Sequence, residues 1–160
     1  MFPVPEIRKA SAQGKYANFT GQVLEKKVAM LLDECGYQQL KEKLVETQNQ
    51  YYIHQFKHFQ SIYGGILCVD FFVWSQNKYP SGLVIECKSQ AIAGSVDEKY
   101  PYTINNLKET KCPAILIIEG NGPKAGALAW CKKRADENEW FRFYHGYHAF
   151  QTAVRKEGLL

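Results

Sequence analysis

Residues 82–102, GLVIECKSQAIAGSVDEKYPY, place two opposite charges at the end of a short apolar run. The run Leu83–Ile85 is followed by Glu86 and, two residues later, by Lys88. Strand interiors bury their side chains, and a buried charge is costly unless it is paired, binds a metal or takes part in chemistry. These two charges therefore indicate a functional site at the end of a strand.

The preceding segment supplies a partner for this strand. GGILCVDFFVW (Gly64–Trp74) is rich in β-branched and aromatic residues, and the turn SQNKYPSG (Ser75–Gly82) joins it to the strand Leu83–Ser89. Because side chains alternate across a strand, every second residue of each strand lies on the same face of the sheet. The predicted sets are Ile66, Cys68, Asp70, Phe72 and Trp74 on the first strand and Val84, Glu86, Lys88 and Gln90 on the second. A hairpin in register would bring Asp70, Glu86 and Lys88 together.

Two carboxylates and one ammonium that meet on neighbouring strands of a hairpin predict metal-dependent hydrolysis. Close carboxylates repel each other unless a cation neutralises them, and hard oxygen ligands favour Mg²⁺, with Mn²⁺ as a substitute. A metal-bound water becomes a nucleophile at neutral pH, and the cation offsets the charge that develops on a phosphate. We expect burial near a metal ion to lower the pKa of Lys88, which would favour its role in activating the attacking water.

The rest of the chain predicts an α/β fold with the order α-β-β-β-α-β-α-β-α, a mixed central sheet and helices on both faces. An apolar stripe at helical spacing marks the first helix, and an unbroken apolar run marks a buried parallel strand. Ser95 and Glu98 have the spacing of a capping box. The remaining predicted segments are helix 18–37, a short helix or loop at 38–50, strand 51–59, helix 95–110, strand 113–120, helix 127–138, strand 140–145 and helix 146–158.

Asp70 followed, after the YPSG turn, by Glu86-Cys87-Lys88 resembles the signature of the PD-(D/E)XK nucleases. This superfamily includes type II restriction enzymes, junction resolvases and some homing endonucleases. The resemblance covers about residues 20–119, and it implies a restriction-endonuclease-like core with the order α-β-β-β-α-β. Val69 stands where the signature often has proline.

The resemblance also implies further site residues. Glu25 matches an acidic residue that the family often carries on its first helix, and Gln90 matches an extra polar residue of several restriction-enzyme branches. The implied metal ligands are Asp70, Glu86 and the backbone carbonyl of Cys87. Each residue also has a plain structural interpretation: Asp70 as a strand end, Glu86 and Lys88 as a weak surface pair, and Glu25 as helix surface.

Composition limits the class of protein. A chain of 160 residues suits one domain, 1–160, with residues 1–16 as an extended arm because Pro3 and Pro5 oppose regular pairing. The net charge of +4 permits a polyanionic partner without requiring one. Five scattered cysteines without a CxxC pair argue against structural zinc and indicate a reducing, cytoplasmic setting. No apolar run reaches membrane-spanning length.

The sequence therefore predicts a Mg²⁺-dependent, site-specific endonuclease of duplex DNA, of the restriction or homing type. A chain of this size that cuts both strands would act as a homodimer or homotetramer. Two alternatives remain open: a nuclease specific for branched DNA, like a Holliday-junction resolvase, and a catalytically inactive DNA-binding module with the same fold. An RNA substrate is also compatible with the sequence.

Overall fold

The structure, a computed structural model, describes residues 12–41 and 49–160, and these residues form one mixed six-stranded sheet. The spatial order of the strands is the same as their order in the chain. Pairing is parallel at both edges and antiparallel in the middle, between β2 and β3 and between β3 and β4. The strands are β1 (Gln38–Leu40), β2 (Gln50–Gln60), β3 (Ile66–Ser75), β4 (Tyr79–Ser89), β5 (Ala114–Glu119) and β6 (Phe141–His145).

Helices cover both faces of this sheet, as predicted. Apolar residues of α1 and α4 pack in one buried cluster on the first face, and those of α2 and α3 pack in a second cluster on the other face. The predicted α/β class and mixed sheet are confirmed, and the core order α-β-β-β-α-β is present with one additional edge strand, β1, between α1 and β2. The helices are α1 (Ala12–Glu34), α2 (Lys99–Glu109), α3 (Ala125–Asp136) and α4 (Tyr147–Glu157), and a 3₁₀ turn (Ser95–Glu98) precedes α2.

Periodicity identified α1, whose apolar stripe is the side that meets the sheet, although the helix spans Ala12–Glu34 where 18–37 was predicted. Leu24, Val28 and Leu31 are almost fully buried, whereas Val23, placed in the same stripe by the sequence, is 38% exposed at its edge. The helix begins at Ala12, so residues 12–16 of the predicted arm are helical. The other part of that arm, residues 1–11, lies outside the described residues. Within the described residues, no helix is long and apolar enough to cross a membrane.

Three local predictions are wrong, and each has a physical reason. Residues 38–40, predicted as helix or loop, form the edge strand β1, which pairs with β2. The turn between β3 and β4 is only residues 76–78, since a bulge in β4 accommodates Pro80 and Gly82 within the strand. The chain enters α2 through a 3₁₀ turn with no side-chain cap, so Ser95 and Glu98 do not form a capping box.

Gly120 allows the ends of β4 and β5 to meet, and an alanine there is expected to destabilise the fold. Its φ is +106°, and an added Cβ would lie 2.3 Å from the backbone oxygen of Gln90. Strain and overpacking together predict a loss of about 3 kcal/mol in the free energy of unfolding for Gly120→Ala. Chemical denaturation measures this loss. The control is Gly126→Ala in α3, where a Cβ meets nothing within 4 Å and stability should be equal or slightly higher. An equal effect of the two variants on stability would refute the claim that the close approach to Gln90 requires glycine at position 120.

Candidate active site

Asp70 and Glu86 meet where β3 and β4 diverge. Regular pairing of these strands ends at Phe71 and Ile85, and the two carboxylates fill the space beyond that point. The backbone N–H of Cys87 donates to Asp70 Oδ2 at 2.7 Å, and the backbone N–H of Asp70 donates to Glu86 Oε2 at 3.3 Å. Each of these N–H groups would be paired with a backbone carbonyl of the other strand in a regular sheet, and here a carboxylate accepts in its place. These two hydrogen bonds hold both acids in the gap.

This arrangement shifts the acidity of Asp70. Burial and the neighbouring charge of Glu86 raise the pKa of Asp70 to about 7, although the hydrogen bond from Cys87 acts in the opposite direction. Glu86 is only 8% exposed. The site thus holds two acids that resist simultaneous ionisation, which is the electrostatic condition that a cation relieves.

Lys88 pairs with Glu86 on the same face of β4. Its Nζ donates to Glu86 Oε1 at 2.6 Å. Burial alone would lower the pKa of Lys88, but attraction to Glu86 and then to Asp70 outweighs it, and the pKa of Lys88 is raised. In the chain without a metal ion the pKa of Lys88 is therefore raised, because Glu86 lies two residues away on the same strand. The lowering expected beside a bound metal ion stays a prediction.

Glu25 reaches the site from α1 through a glutamine that the sequence analysis did not select. Gln55 Nε2 donates to Glu25 Oε2 at 3.1 Å and to Asp70 Oδ1 at 3.4 Å. Glu25 Oε2 also lies 2.6 Å from His54 Nε2. The amide of Gln55 thus connects the carboxylate of the helix to that of the strand.

Gln90 is held by α2 instead. It is 4% exposed, and its Oε1 accepts a hydrogen bond of 2.6 Å from the hydroxyl of Tyr100. Its buried Nε2 has no hydrogen-bond partner among residues 12–41 and 49–160. The structure therefore places Asp70 and Glu86 in the same gap, pairs Lys88 with Glu86, joins Glu25 through Gln55, and ties Gln90 to the helix beside them.

Comparison with known proteins matches this chain to a family. The model of the PD-(D/E)XK nuclease superfamily domain matches residues 16–152, most of the chain. The chain belongs to the PD-(D/E)XK nuclease superfamily. Searches of curated proteins and of solved structures give no match.

PD-(D/E)XK nucleases generally use divalent metal ions, and the donor set here is compatible with one. Asp70 and Glu86 offer hard oxygen ligands from two strands, and burial, together with the charge of Glu86, raises the pKa of Asp70 in a way that a bound cation would oppose. Among residues 12–41 and 49–160, no three His, Cys, Asp or Glu side chains gather as a ready metal cage.

The PD-(D/E)XK site depends on a break in strand alternation that the sequence analysis overlooked. Gln55 has φ +57°, and the residues around it change faces. In β3 the side chains also change faces, at Asp70, which lies opposite Gln55. The face predicted for the β3 residues that precede Asp70 is therefore wrong. Leu67 and Val69 join the cluster of Phe72 and Trp74, in place of Ile66 and Cys68.

One signal for this break is present in the sequence. In YYIHQF (Tyr51–Phe56), two polar residues stand side by side within an otherwise apolar strand. Tyr51, Ile53 and Phe56 all pack in one cluster. Ile53 and Phe56 are three residues apart, whereas regular alternation would place side chains on one face every two residues. Adjacent polar residues in a strand that must alternate indicate a local break in that alternation, here at Gln55, while the register with β3 shifts farther along, between Phe56 and Phe59.

We expect Gln55→Gly to weaken DNA cleavage about tenfold without loss of stability. Glycine adopts the positive φ freely, so relief of backbone strain offsets the lost hydrogen bonds, while Glu25 loses its link to Asp70. Lys111→Gly is the matched control, because Lys111 also has a positive φ, +58°, and is exposed on the loop after α2. Thermal unfolding and single-turnover cleavage measure the two effects. Wild-type cleavage by Gln55→Gly would show that the link has no role.

Proposed function

We propose that this chain is a Mg²⁺-dependent DNA endonuclease that hydrolyses phosphodiester bonds of duplex DNA at specific sites. The observation that carries the proposal is that Asp70 and Glu86 are held in one gap between β3 and β4, with Lys88 paired to Glu86. These groups stand at the positions of the family signature, within a domain that belongs to a nuclease superfamily. Restriction or homing cleavage is the preferred type.

Each residue of the site has a proposed role. The carboxylates of Asp70 and Glu86 and the backbone carbonyl of Cys87 would hold the metal ion. The ion would supply an activated water and offset charge on the phosphate. Lys88, a cation beside Glu86, orients the attacking water and steadies the phosphate. Glu25 assists through Gln55.

Gln90 has a less direct role in the proposal. Because Tyr100 fixes its Oε1, its Nε2 is left as a directed donor, which supports a part in positioning rather than in bond breaking.

The proposal also includes a symmetric assembly. One site cuts one strand, so cleavage of both strands by a chain of 160 residues favours a homodimer or homotetramer on the DNA. Sedimentation with and without a bound duplex tests this point separately from the chemistry.

Cleavage of supercoiled plasmid tests the activity directly. With Mg²⁺, and with Mn²⁺ in its place, the wild-type chain is expected to convert supercoiled DNA to nicked and linear forms with 5′-phosphate ends. With EDTA the DNA remains supercoiled. A random library of duplex sites, sequenced after cleavage, tests sequence specificity. Failure to cut any DNA with either metal would refute the proposal.

A further inference from the structure

Two exposed tyrosines stack on each other at one end of the sheet. Tyr63, in the connection between β2 and β3, is 81% exposed, and Tyr102, in the first turns of α2, is 41% exposed. Their ring centroids are 5.6 Å apart, with an angle of 26° between the ring planes. The high exposure of Tyr63 shows that this contact covers only a small part of its ring and leaves the rest open to solvent.

The connection that carries Tyr63 is held in place by hydrogen bonds. The backbone N–H of Ile62 donates to Asn106 Oδ1 at 2.8 Å, which anchors it to α2. Within it, the N–H of Ser61 donates to the oxygen of Gly65 at 2.8 Å, and that of Gly64 donates to the oxygen of Ser61 at 2.9 Å. The aromatic pair is therefore presented on a fixed loop, so little ordering cost remains for a ligand that stacks on it.

The pair borders the cleft of the candidate active site. Tyr102 lines a cleft between α2 and the sheet together with Glu86, Lys88 and Asn106. Lys99, exposed and one helical turn before Tyr102, adds a positive charge beside the same edge. A chain that passes over the Tyr63–Tyr102 pair thus continues into the cleft where two members of the site lie.

We propose that Tyr63 and Tyr102 form a stacking site for an unpaired base of DNA, so that the substrate carries unpaired nucleotides next to the bond that is cut. This inference rests on the proposed function and narrows its substrate. In a duplex, a base turns its faces toward its neighbours in the stack. A surface aromatic ring can reach such a face only where pairing is open. Stacking of this kind tolerates any base, so this contact would add selection for an unpaired nucleotide to any recognition of sequence made elsewhere on the chain.

Binding measurements without cleavage test the inference. Fluorescence anisotropy in EDTA compares a fully paired duplex with a forked duplex that has unpaired arms. Wild type is expected to bind the fork at least about tenfold more tightly than the duplex, and Tyr63→Ala to lose most of that advantage, while Tyr63→Phe keeps it. A 2-aminopurine at the first unpaired position should be quenched by wild type and by Tyr63→Phe, but not by Tyr63→Ala.

Met30→Ala is the matched control, because it truncates a side chain that is 59% exposed on α1. It should leave the binding of both DNAs unchanged. Equal binding of duplex and fork by wild type would overturn the inference, as would an equal loss on both DNAs for Tyr63→Ala. Cleavage of plasmid is scored separately with Mg²⁺. Fork binding that depends on Tyr63 in a protein that never cuts would refute the nuclease and leave the stacking site standing, and the reverse result would refute only the stacking site.

Discussion

Asparagine in place of Asp70 is expected to abolish DNA cleavage and, in the absence of metal, to stabilise the folded chain at neutral pH. The amide has the shape of the carboxyl group and can still accept the N–H of Cys87, which now donates to Asp70 at 2.7 Å. It removes one of two acids that lie in contact. It also removes a proposed metal ligand, so cleavage should fall about 10³-fold or more.

The stabilisation follows from the raised pKa of Asp70, about 7 against an ordinary value of 3.8. The folded chain binds this proton more tightly than the unfolded chain does, so stability is fully present below pH 3.8 and is lost as the pH rises to about 7. Asparagine does not titrate. The advantage of the variant should therefore grow across that window and remain constant above it, at about 1–3 kcal/mol.

Denaturation in EDTA at pH 4, 6 and 8 measures the free energy of unfolding of the variant and of wild type. Added Mg²⁺ should raise the stability of wild type and not that of Asp70→Asn, because only the wild type keeps both carboxylates to bind the ion. A variant that is less stable than wild type at pH 8 in EDTA would contradict the electrostatic account. Retained cleavage would contradict the assignment of Asp70 to the site.

Methionine in place of Lys88 is expected to abolish cleavage as well, but with the opposite effect on stability. The ammonium now neutralises Glu86 at 2.6 Å. Its removal leaves two acids in contact without a cation. Breaking a fully buried pair costs about 3–5 kcal/mol. The Lys88 side chain is 32% exposed, so we expect a loss of about 1–3 kcal/mol in the free energy of unfolding near pH 7. The raised pKa of Lys88 means that this contribution is present throughout the neutral range.

Lys132→Met is the matched control, since Lys132 pairs with Asp136 at 3.2 Å on the exposed side of α3. Its loss should change stability by less than about 0.5 kcal/mol and leave cleavage unchanged. Plasmid nicking and DNA binding are measured on the same preparations. If wild type and Lys88→Met are equally inert while both bind DNA, the alternative of a catalytically inactive binding module replaces the nuclease.

Much of the fold could be predicted from local patterns in the sequence. The apolar stripe of α1 and the unbroken run of β5 each report how one element is buried, and both elements lie close to where their patterns place them. The alternation of β2 does the same except at Gln55. The edge strand β1 could not be found in this way. Its three residues, Gln38–Leu40, have no apolar pattern, and they become a strand only by pairing with β2.

By itself, the sequence determined that Asp70, Glu86 and Lys88 lie on two neighbouring strands joined by a turn, because strand propensity and turn position depend on adjacent residues. Only the tertiary structure decided how those groups interact. Asp70 lies in the gap because β3 and β4 diverge, Gln55 joins it to Glu25 because two paired strands change faces at the same level, and Lys88 holds its proton because Glu86 is close. Contacts between elements that are distant in the sequence determine all three features, so no local pattern of residues could predict them.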